Sequence, residues 1–145
     1  MTDAVLPATL AGIKDDFLAL DQRERLQLLL EFSQSLPELP DRYLSHPDML
    51  EQVIECQSPV FLFVEVHDGV VRIFVTAPKE SPTTRGFASI LVEGLDGLTV
   101  DEVLGVPSDY PLEIGLTEAV SPLRIRGMMA LLGRIQRQVR EKSAA

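Results

Sequence analysis

The sequence predicts an α+β fold, in which a small antiparallel three-stranded sheet is packed by helices from both ends of the chain. Apolar residues recur at helical spacing near both termini, and two segments rich in Val, Phe and Ile lie in the middle. The Asp68-Gly69 pair between those two segments favours a tight hairpin turn. With 145 residues, 46% of them hydrophobic, we expect one domain over residues 1–145 with its own core.

Two helices are predicted before the sheet. The first covers residues 8–20, and the second begins at Asp21, where Glu24 three residues later gives the spacing of a capping box. Apolar residues then continue at helical spacing, and the helix should end near Leu36, just before a proline. Three prolines within residues 37–48 predict an ordered but irregular loop.

The sheet is predicted from three short segments. Residues 59–66 and 70–76 should form the hairpin, joined by the turn at residues 67–69. The apolar pair Val53-Ile54 would add a third antiparallel strand beside the first of these, which places Cys56 at the connecting turn.

Helices are predicted again after the sheet. Residues 83–94 show a helical pattern, and Thr99 with Glu102 opens a short helix with capping-box spacing. The last helix should begin with Ser121 as N-cap and Pro122 at its first position. Its predicted apolar stripe is Leu123, Met128, Leu131, Leu132, Ile135 and Val139.

Composition excludes several classes of partner. A formal charge of −9 would repel a phosphate backbone, so we expect no nucleic acid partner. No apolar run reaches the roughly 18 residues that a membrane helix needs. The start, Met1-Thr2-Asp3-Ala4, lacks the positive segment of a signal peptide. We therefore expect a cytoplasmic protein without a membrane partner.

Cys56 is the only cysteine, so the chain cannot form an internal disulfide. Its thiol could be an inert core group, a reactive group or an incidental one, and free cysteines are often buried. However, the polar stretch Glu-Cys-Gln-Ser-Pro at residues 55–59 lies between two apolar segments, and such a turn favours access to the thiol.

The residues around Cys56 resemble a family signature. Val53-x-x-Cys56-Gln57-Ser58-x-Val60 is similar to the V-x-G-C-Q-S-x-V pattern of the SufE family of sulfur acceptors. Three further segments resemble family motifs in the same order: residues 36–40 (the G-x-x-L-P-x-L-P segment), Arg85-Gly86 (the K/R-G pair) and residues 121–127 (S-P-x-R-x-x-G). The resemblance extends from about residue 8 to 141. Glu55 replaces the usual glycine, and Ala119-Val120 stands where the family often has His-Leu.

The resemblance implies a SufE/IscU-like fold and a sulfur relay. Cys56 would accept persulfide sulfur from a SufS-type cysteine desulfurase, stimulate that enzyme and deliver sulfur for iron–sulfur cluster assembly on a scaffold such as a SufBCD-type complex. The chain would need no cofactor of its own, since the desulfurase carries pyridoxal phosphate. It would thus be a sulfur-transfer partner and activator more than a stand-alone enzyme.

Four other residues are candidates for binding the partner or supporting the loop: Gln57, Ser58, Arg85 and Arg124. A positive side chain in the first turn of a helix is unfavourable beside the helix dipole, which suggests a separate role for Arg124. Alternatively, Arg124 is a solvent-facing arginine paired with Glu118, and Arg85 is an ordinary surface charge.

The sequence near Cys56 offers no obvious thiolate stabilisation. Glu51 and Glu55 are close, whereas the nearest basic residues, Arg42 and Arg72, are more than a dozen positions away. We therefore hypothesise that the resting thiol is partly shielded, and that docking on the desulfurase moves its loop outward into an electropositive site.

Other functions remain open on the sequence alone. A non-catalytic binding module could dock on a desulfurase or another protein without carrying sulfur. A thiol peroxidase would lack a resolving cysteine, and a cluster scaffold would need several cysteine ligands. The two histidines, His46 and His67, lack the close spacing to Cys56 that is typical of zinc sites, so we expect no metal site.

Overall fold

The computed structural model describes residues 6–144 of the chain. Residues 1–4, from which we expect no signal peptide, lie outside these residues. The two ends of the predicted 1–145 domain also lie outside them. The elements in chain order are α1 (Ala8–Leu18), α2 (Gln22–Phe32), α3 (Asp41–Leu44), a 3-10 turn (Pro47–Met49), β1 (Glu51–Gln52), a second 3-10 turn (Ile54–Cys56), β2 (Phe61–His67), β3 (Val70–Thr76), α4 (Pro82–Leu95), α5 (Val100–Leu104), α6 (Tyr110–Glu113) and α7 (Pro122–Ser143). The predicted α+β fold class is confirmed.

The three strands form one antiparallel sheet in the order β1-β2-β3. Asp68 and Gly69 join β2 to β3 with φ values of 52° and 78°, the left-handed pair that a two-residue hairpin turn requires. His67 belongs to β2 and pairs with Val70, so the first strand of the hairpin continues one residue further toward the turn than its apolar pattern indicates.

The third strand is not where the sequence predicts it. β1 consists of Glu51 and Gln52, which pair with Leu62 and Phe61, and the predicted Val53-Ile54 strand is wrong. The Val53 amide still donates to the Val60 carbonyl at 2.8 Å. The chain then turns, because Ile54 begins the 3-10 turn and exposes its side chain to solvent.

The second helix ends four residues earlier than predicted. Ser33 follows its last residue, and both the amide and the hydroxyl of Ser33 donate to the Leu30 carbonyl in the last turn of the helix. The following loop is less irregular than predicted, since it contains α3. Tyr43 of α3 is buried between Phe63 and Phe74 on the outer face of the sheet, which holds that helix in place.

Helices α4 and α7 cover the inner face of the sheet. That face presents the buried side chains Leu62, Val64, Val71, Ile73 and Val75. The capping residues predicted at Asp21, Thr99 and Ser121 are confirmed. The predicted stripe of α7 is correct except for Leu123, which is 46% exposed because it lies in the first turn, beside a cleft; Ile125 is buried instead.

A second helix that the sequence did not predict is α6. Its Tyr110 is fully buried and donates to the Leu10 carbonyl at 2.8 Å, which connects the middle of the chain to α1. Within residues 6–144, no helix is long and apolar enough to cross a membrane.

Candidate functional site

Cys56 ends the 3-10 turn between β1 and β2, as the sequence predicts. Both sides of this turn are anchored, because the buried residues Val53 and Val60 are hydrogen-bonded to each other across it. The Cys56 amide donates to the Val53 carbonyl at 3.1 Å. The thiol is therefore carried on a short segment whose ends are bonded to each other directly beside β1 and β2.

Gln57 and Ser58 shape the chain immediately after the thiol. Gln57 adopts the left-handed conformation (φ 54°, ψ 18°), which reverses the chain and leaves its side chain exposed. The Ser58 hydroxyl donates to the Cys56 carbonyl at 3.1 Å. The geometry gives Ser58 a loop-supporting contact and leaves the Gln57 side chain accessible from solvent.

The Cys56 turn packs directly on α7 at Gly127. The Cys56 Sγ lies 3.5 Å from the Gly127 carbonyl oxygen, where the thiol can donate a weak hydrogen bond. A Cβ atom at position 127 would lie 3.2 Å from the Cys56 Cα and 3.3 Å from its Sγ. Glycine at this position of the S-P-x-R-x-x-G segment therefore permits the close approach, a role that the sequence did not reveal.

A cleft of about 350 Å³ opens beside the thiol. Its lining brings together three of the predicted candidates with Cys56, namely Gln57, Ser58 and Arg124. Arg124 is exposed, as the alternative proposes, but its guanidinium donates to the Thr83 hydroxyl at 3.4 Å and not to Glu118. The remaining lining consists of the hydroxyl residues Ser81, Thr84 and Ser121, together with Leu123.

Arg85 does not line this cleft. Its Nε donates to the Ser33 carbonyl at 2.9 Å, and its Nη1 donates to the Ala77 carbonyl. Arg85 thus connects the end of α2 to the segment that follows β3. These two backbone contacts of a half-buried side chain do not fit the alternative of an ordinary surface charge.

A basic residue missed by the sequence analysis lies beside Cys56. Arg134 of α7 makes a bidentate contact with Glu55, with both N···O distances at 3.0 Å, and its Nη1 donates to Glu51 at 2.6 Å. Arg137 also pairs with Glu51. The sequence signal for this contact was the pair of acidic residues beside Cys56 together with the basic residues of the last helix. Proximity in the chain offered only Arg42 and Arg72, which are more than a dozen positions away.

The surroundings of Cys56 disfavour the thiolate. Burial is the largest cause, and the neighbouring Glu55 carboxylate adds to it, while Arg134 opposes them; together they raise the pKa of Cys56 to about 11. The resting thiol is therefore protonated near neutral pH. This agrees with the hypothesis of a partly shielded thiol.

Neither histidine lines the cleft beside Cys56. His67 contacts Glu65 at 3.0 Å, and His46 is exposed. Among the residues described, no three His, Cys, Asp or Glu side chains are grouped so that they could hold a metal ion.

These features define a small α+β protein that presents one cysteine on an anchored turn beside a polar cleft. The family model "SufE: Fe-S metabolism associated domain" matches residues 11–139, and the chain belongs to the SufE family. It is 49% identical, over 139 residues, to an uncharacterized SufE-like protein of Mycobacterium tuberculosis (strain H37Rv), covering 95% of this chain and 96% of the relative. The resemblance drawn from the motifs is thereby confirmed.

Two further comparisons bear on function and fold. The chain is 25% identical, over 113 residues, to the cysteine desulfuration protein SufE of Plasmodium falciparum, covering 76% of this chain and 44% of the relative. The solution structure of a hypothetical protein from Thermus thermophilus superposes with a TM-score of 0.84 at 38% identity, covering 97% of this chain and all of the other. Membership of the family supports a role in sulfur transfer for iron–sulfur metabolism and implies interaction with a cysteine desulfurase.

Proposed function

We propose that Cys56 accepts sulfur as a persulfide from a SufS-type cysteine desulfurase, stimulates that enzyme and passes the sulfur to iron–sulfur cluster assembly. The observation that carries this proposal is the position of the sole cysteine, on an anchored turn beside a cleft that also contains Arg124. The cysteine lies inside the segment matched by the family model.

The transfer is a thiol–disulfide type of exchange. The Cys56 thiolate attacks the outer sulfur of the donor persulfide, so that a new S–S bond forms at Cys56 while the donor S–S bond breaks. The donor cysteine leaves as a thiolate and takes up the proton that Cys56 has lost, so no external oxidant or reductant is needed. A persulfide on Cys56 would face the hydroxyl groups of the cleft and the positive charge of Arg124.

The high pKa of the resting thiol makes the proposed reaction depend on the partner. Docking would move the turn outward and bring the thiol near the positive groups of the desulfurase site, where pyridoxal phosphate is also held. We further propose that the chain works as one domain in the cytoplasm, and that a scaffold such as a SufBCD-type complex receives the sulfur. Gln57 and Arg124 would contact the partner, while Ser58 supports the loop and Arg85 supports the fold behind it.

The test is intact-mass analysis after incubation with a cysteine desulfurase and free cysteine. The wild-type chain should gain the mass of one sulfur atom, and dithiothreitol should remove it; Cys56→Ala should gain nothing and should no longer stimulate the enzyme. Because the chain has one thiol, any reducible gain reports on Cys56 alone. Undiminished stimulation by Cys56→Ala would contradict the proposal.

A binding module that docks without carrying sulfur is the second candidate. It is favoured by Glu55, whose ion pair with Arg134 fastens the turn and whose charge disfavours the thiolate. Retained binding to the desulfurase with no gain of mass would support this candidate.

A further inference from the structure

We infer that Glu55 and Arg134 form a latch, which fastens the Cys56 turn to α7 and must open before the thiol can reach another protein. This inference rests on the proposed function of Cys56 but concerns two residues that are not among the candidates for binding the partner or supporting the loop. Both would be positioning residues, since they act through the turn that carries the thiol.

The ion pair is well placed to hold the turn. Glu55 immediately precedes Cys56, and both of its carboxylate oxygens accept from Arg134, in the bidentate geometry that gives strong and directional pairs. Arg134 is itself held by Glu51, which also accepts from Arg137 and from Gln138. The guanidinium therefore belongs to a fixed network that joins α7 to β1, and Glu55 is the member of that network on the Cys56 turn.

The turn has a second contact with the same helix. Cys56 packs on Gly127, which lies seven residues before Arg134, two helical turns or about 10 Å along the same face of α7. The S–H donor at Gly127 is a weak one, and the ion pair is charged on both sides. We therefore expect the ion pair to contribute more than the thiol contact to keeping the turn closed.

The latch is accessible to a partner. The Glu55 and Arg134 side chains are 37% and 25% exposed, so their contact lies at the edge of the protein and not in its core. A docking protein can compete for either group without unfolding the sheet, because the turn is anchored separately by Val53 and Val60.

A latch and a simple effect of charge predict different results. The charged groups that face Cys56 are Glu55 on its own turn and Arg134 and Arg124 on α7, while α4 presents the hydroxyl of Thr84. If only charge mattered, removing Glu55 would lower the pKa of Cys56 and removing Arg134 would raise it, so the two changes would act in opposite directions. If the pair is a latch, both changes free the turn and act in the same direction.

The experiment measures alkylation of Cys56 by iodoacetamide in Glu55→Gln, Arg134→Gln and the double variant. We expect both single variants to react about two to five times faster than the wild type at pH 8, the factor that a partly exposed ion pair supports, and the double variant to react no faster than the quicker single one. Glu31→Gln is the matched control, because the Glu31 side chain is exposed on α2 and has no hydrogen-bond or ion-pair partner among residues 6–144. Faster reaction of Glu55→Gln together with slower reaction of Arg134→Gln would overturn the latch.

Hydrogen exchange of the backbone gives a second readout that does not depend on thiol chemistry. Amides of residues 54–58 should exchange faster in both variants, while those of β2 and β3 should be unchanged; unchanged exchange in residues 54–58 would contradict the latch. If Arg134→Gln fails to fold, Arg134→Lys keeps the charge but loses the bidentate contact, and should also increase alkylation. None of these measurements requires a desulfurase, so the latch can fail while the persulfide assay succeeds, and the reverse.

Discussion

Replacing Gly127 by alanine should separate the packing of the Cys56 turn from the ordinary effect of a helical glycine. The new methyl group would lie 3.2 Å from the Cys56 Cα, 3.3 Å from its Sγ and 3.3 Å from the Glu55 carbonyl oxygen. All three distances are tighter than ordinary van der Waals contact, so the turn must move away from α7 by a few tenths of an ångström. Gly133 lies on the same helix, and an added Cβ atom there would meet nothing within 4 Å.

The magnitude follows from two opposing terms. Alanine in place of glycine within a helix stabilises the protein by roughly 0.5 to 1 kcal/mol, and Gly133→Ala should show this gain alone. Gly127→Ala has the same gain but adds an overpacking cost of about 1 to 3 kcal/mol. The free energies of unfolding of the two variants should therefore differ by about 1 to 3 kcal/mol, with Gly127→Ala the less stable.

Urea unfolding followed by circular dichroism measures the two free energies, and iodoacetamide labelling reports on the thiol. Because the turn is pushed outward, Cys56 should be alkylated faster in Gly127→Ala and at the wild-type rate in Gly133→Ala. Equal stabilisation by the two substitutions, with unchanged labelling, would refute the close packing of the turn on the helix.

Three further outcomes follow from the thiol of Cys56, the carboxylate of Glu65 and the ion pair of Glu55. The pKa of Cys56 is raised from near 9 to about 11, so the neutral thiol contributes its full share of the free energy of unfolding below pH 9. This contribution is lost as pH rises toward 11, by no more than about 1.4 kcal/mol per pH unit. Urea unfolding of Cys56→Ala at a series of pH values should lack this loss. Burial acts to raise the pKa of Glu65, but hydrogen bonds from Tyr43, His67 and Arg42 outweigh it and hold the pKa at about 2. Stability from this carboxylate is therefore present above about pH 4.5 and declines as pH falls toward 2, and thermal melts of Glu65→Gln should lack that part of the acid sensitivity. Finally, a docking protein that needs the turn open should bind Glu55→Gln about two to five times more tightly than the wild type. Calorimetry in a Cys56→Ala background would measure this, and weaker binding would instead show that Glu55 contacts the partner.

The fold was largely predictable because its signals are local. The hairpin was marked by Asp68-Gly69, and the helix starts were marked by capping residues such as Asp21 and Ser121, whose side chains bond within three residues. The errors occurred where a distant residue decides the structure. Helix α6 depends on burial of Tyr110 against α1, and a two-residue strand such as β1 carries no periodic pattern.

The candidate site was predictable in part for the same reason. The motif around Cys56 placed the thiol on a turn, and Arg124 was singled out by its unfavourable position beside the helix dipole. The contacts that set the reactivity of the thiol were not accessible to the same reasoning, because Gly127 is 71 residues from Cys56 in the chain and Arg134 is 79 residues from Glu55. Spacing along a sequence cannot show which face of a distant helix meets a given turn.

Opening the turn would change the chemistry of Cys56 as well as its access. If hydration restored the pKa of the thiol from about 11 to its ordinary value near 9, the thiolate fraction at neutral pH would rise on the order of a hundredfold. The lower basicity of that thiolate would reduce its intrinsic nucleophilicity by about tenfold, so that the net gain in rate is about tenfold. A partner that only releases the turn can therefore activate the thiol to this extent. Any larger stimulation requires positive charge or precise placement of the donor persulfide within the partner's own site.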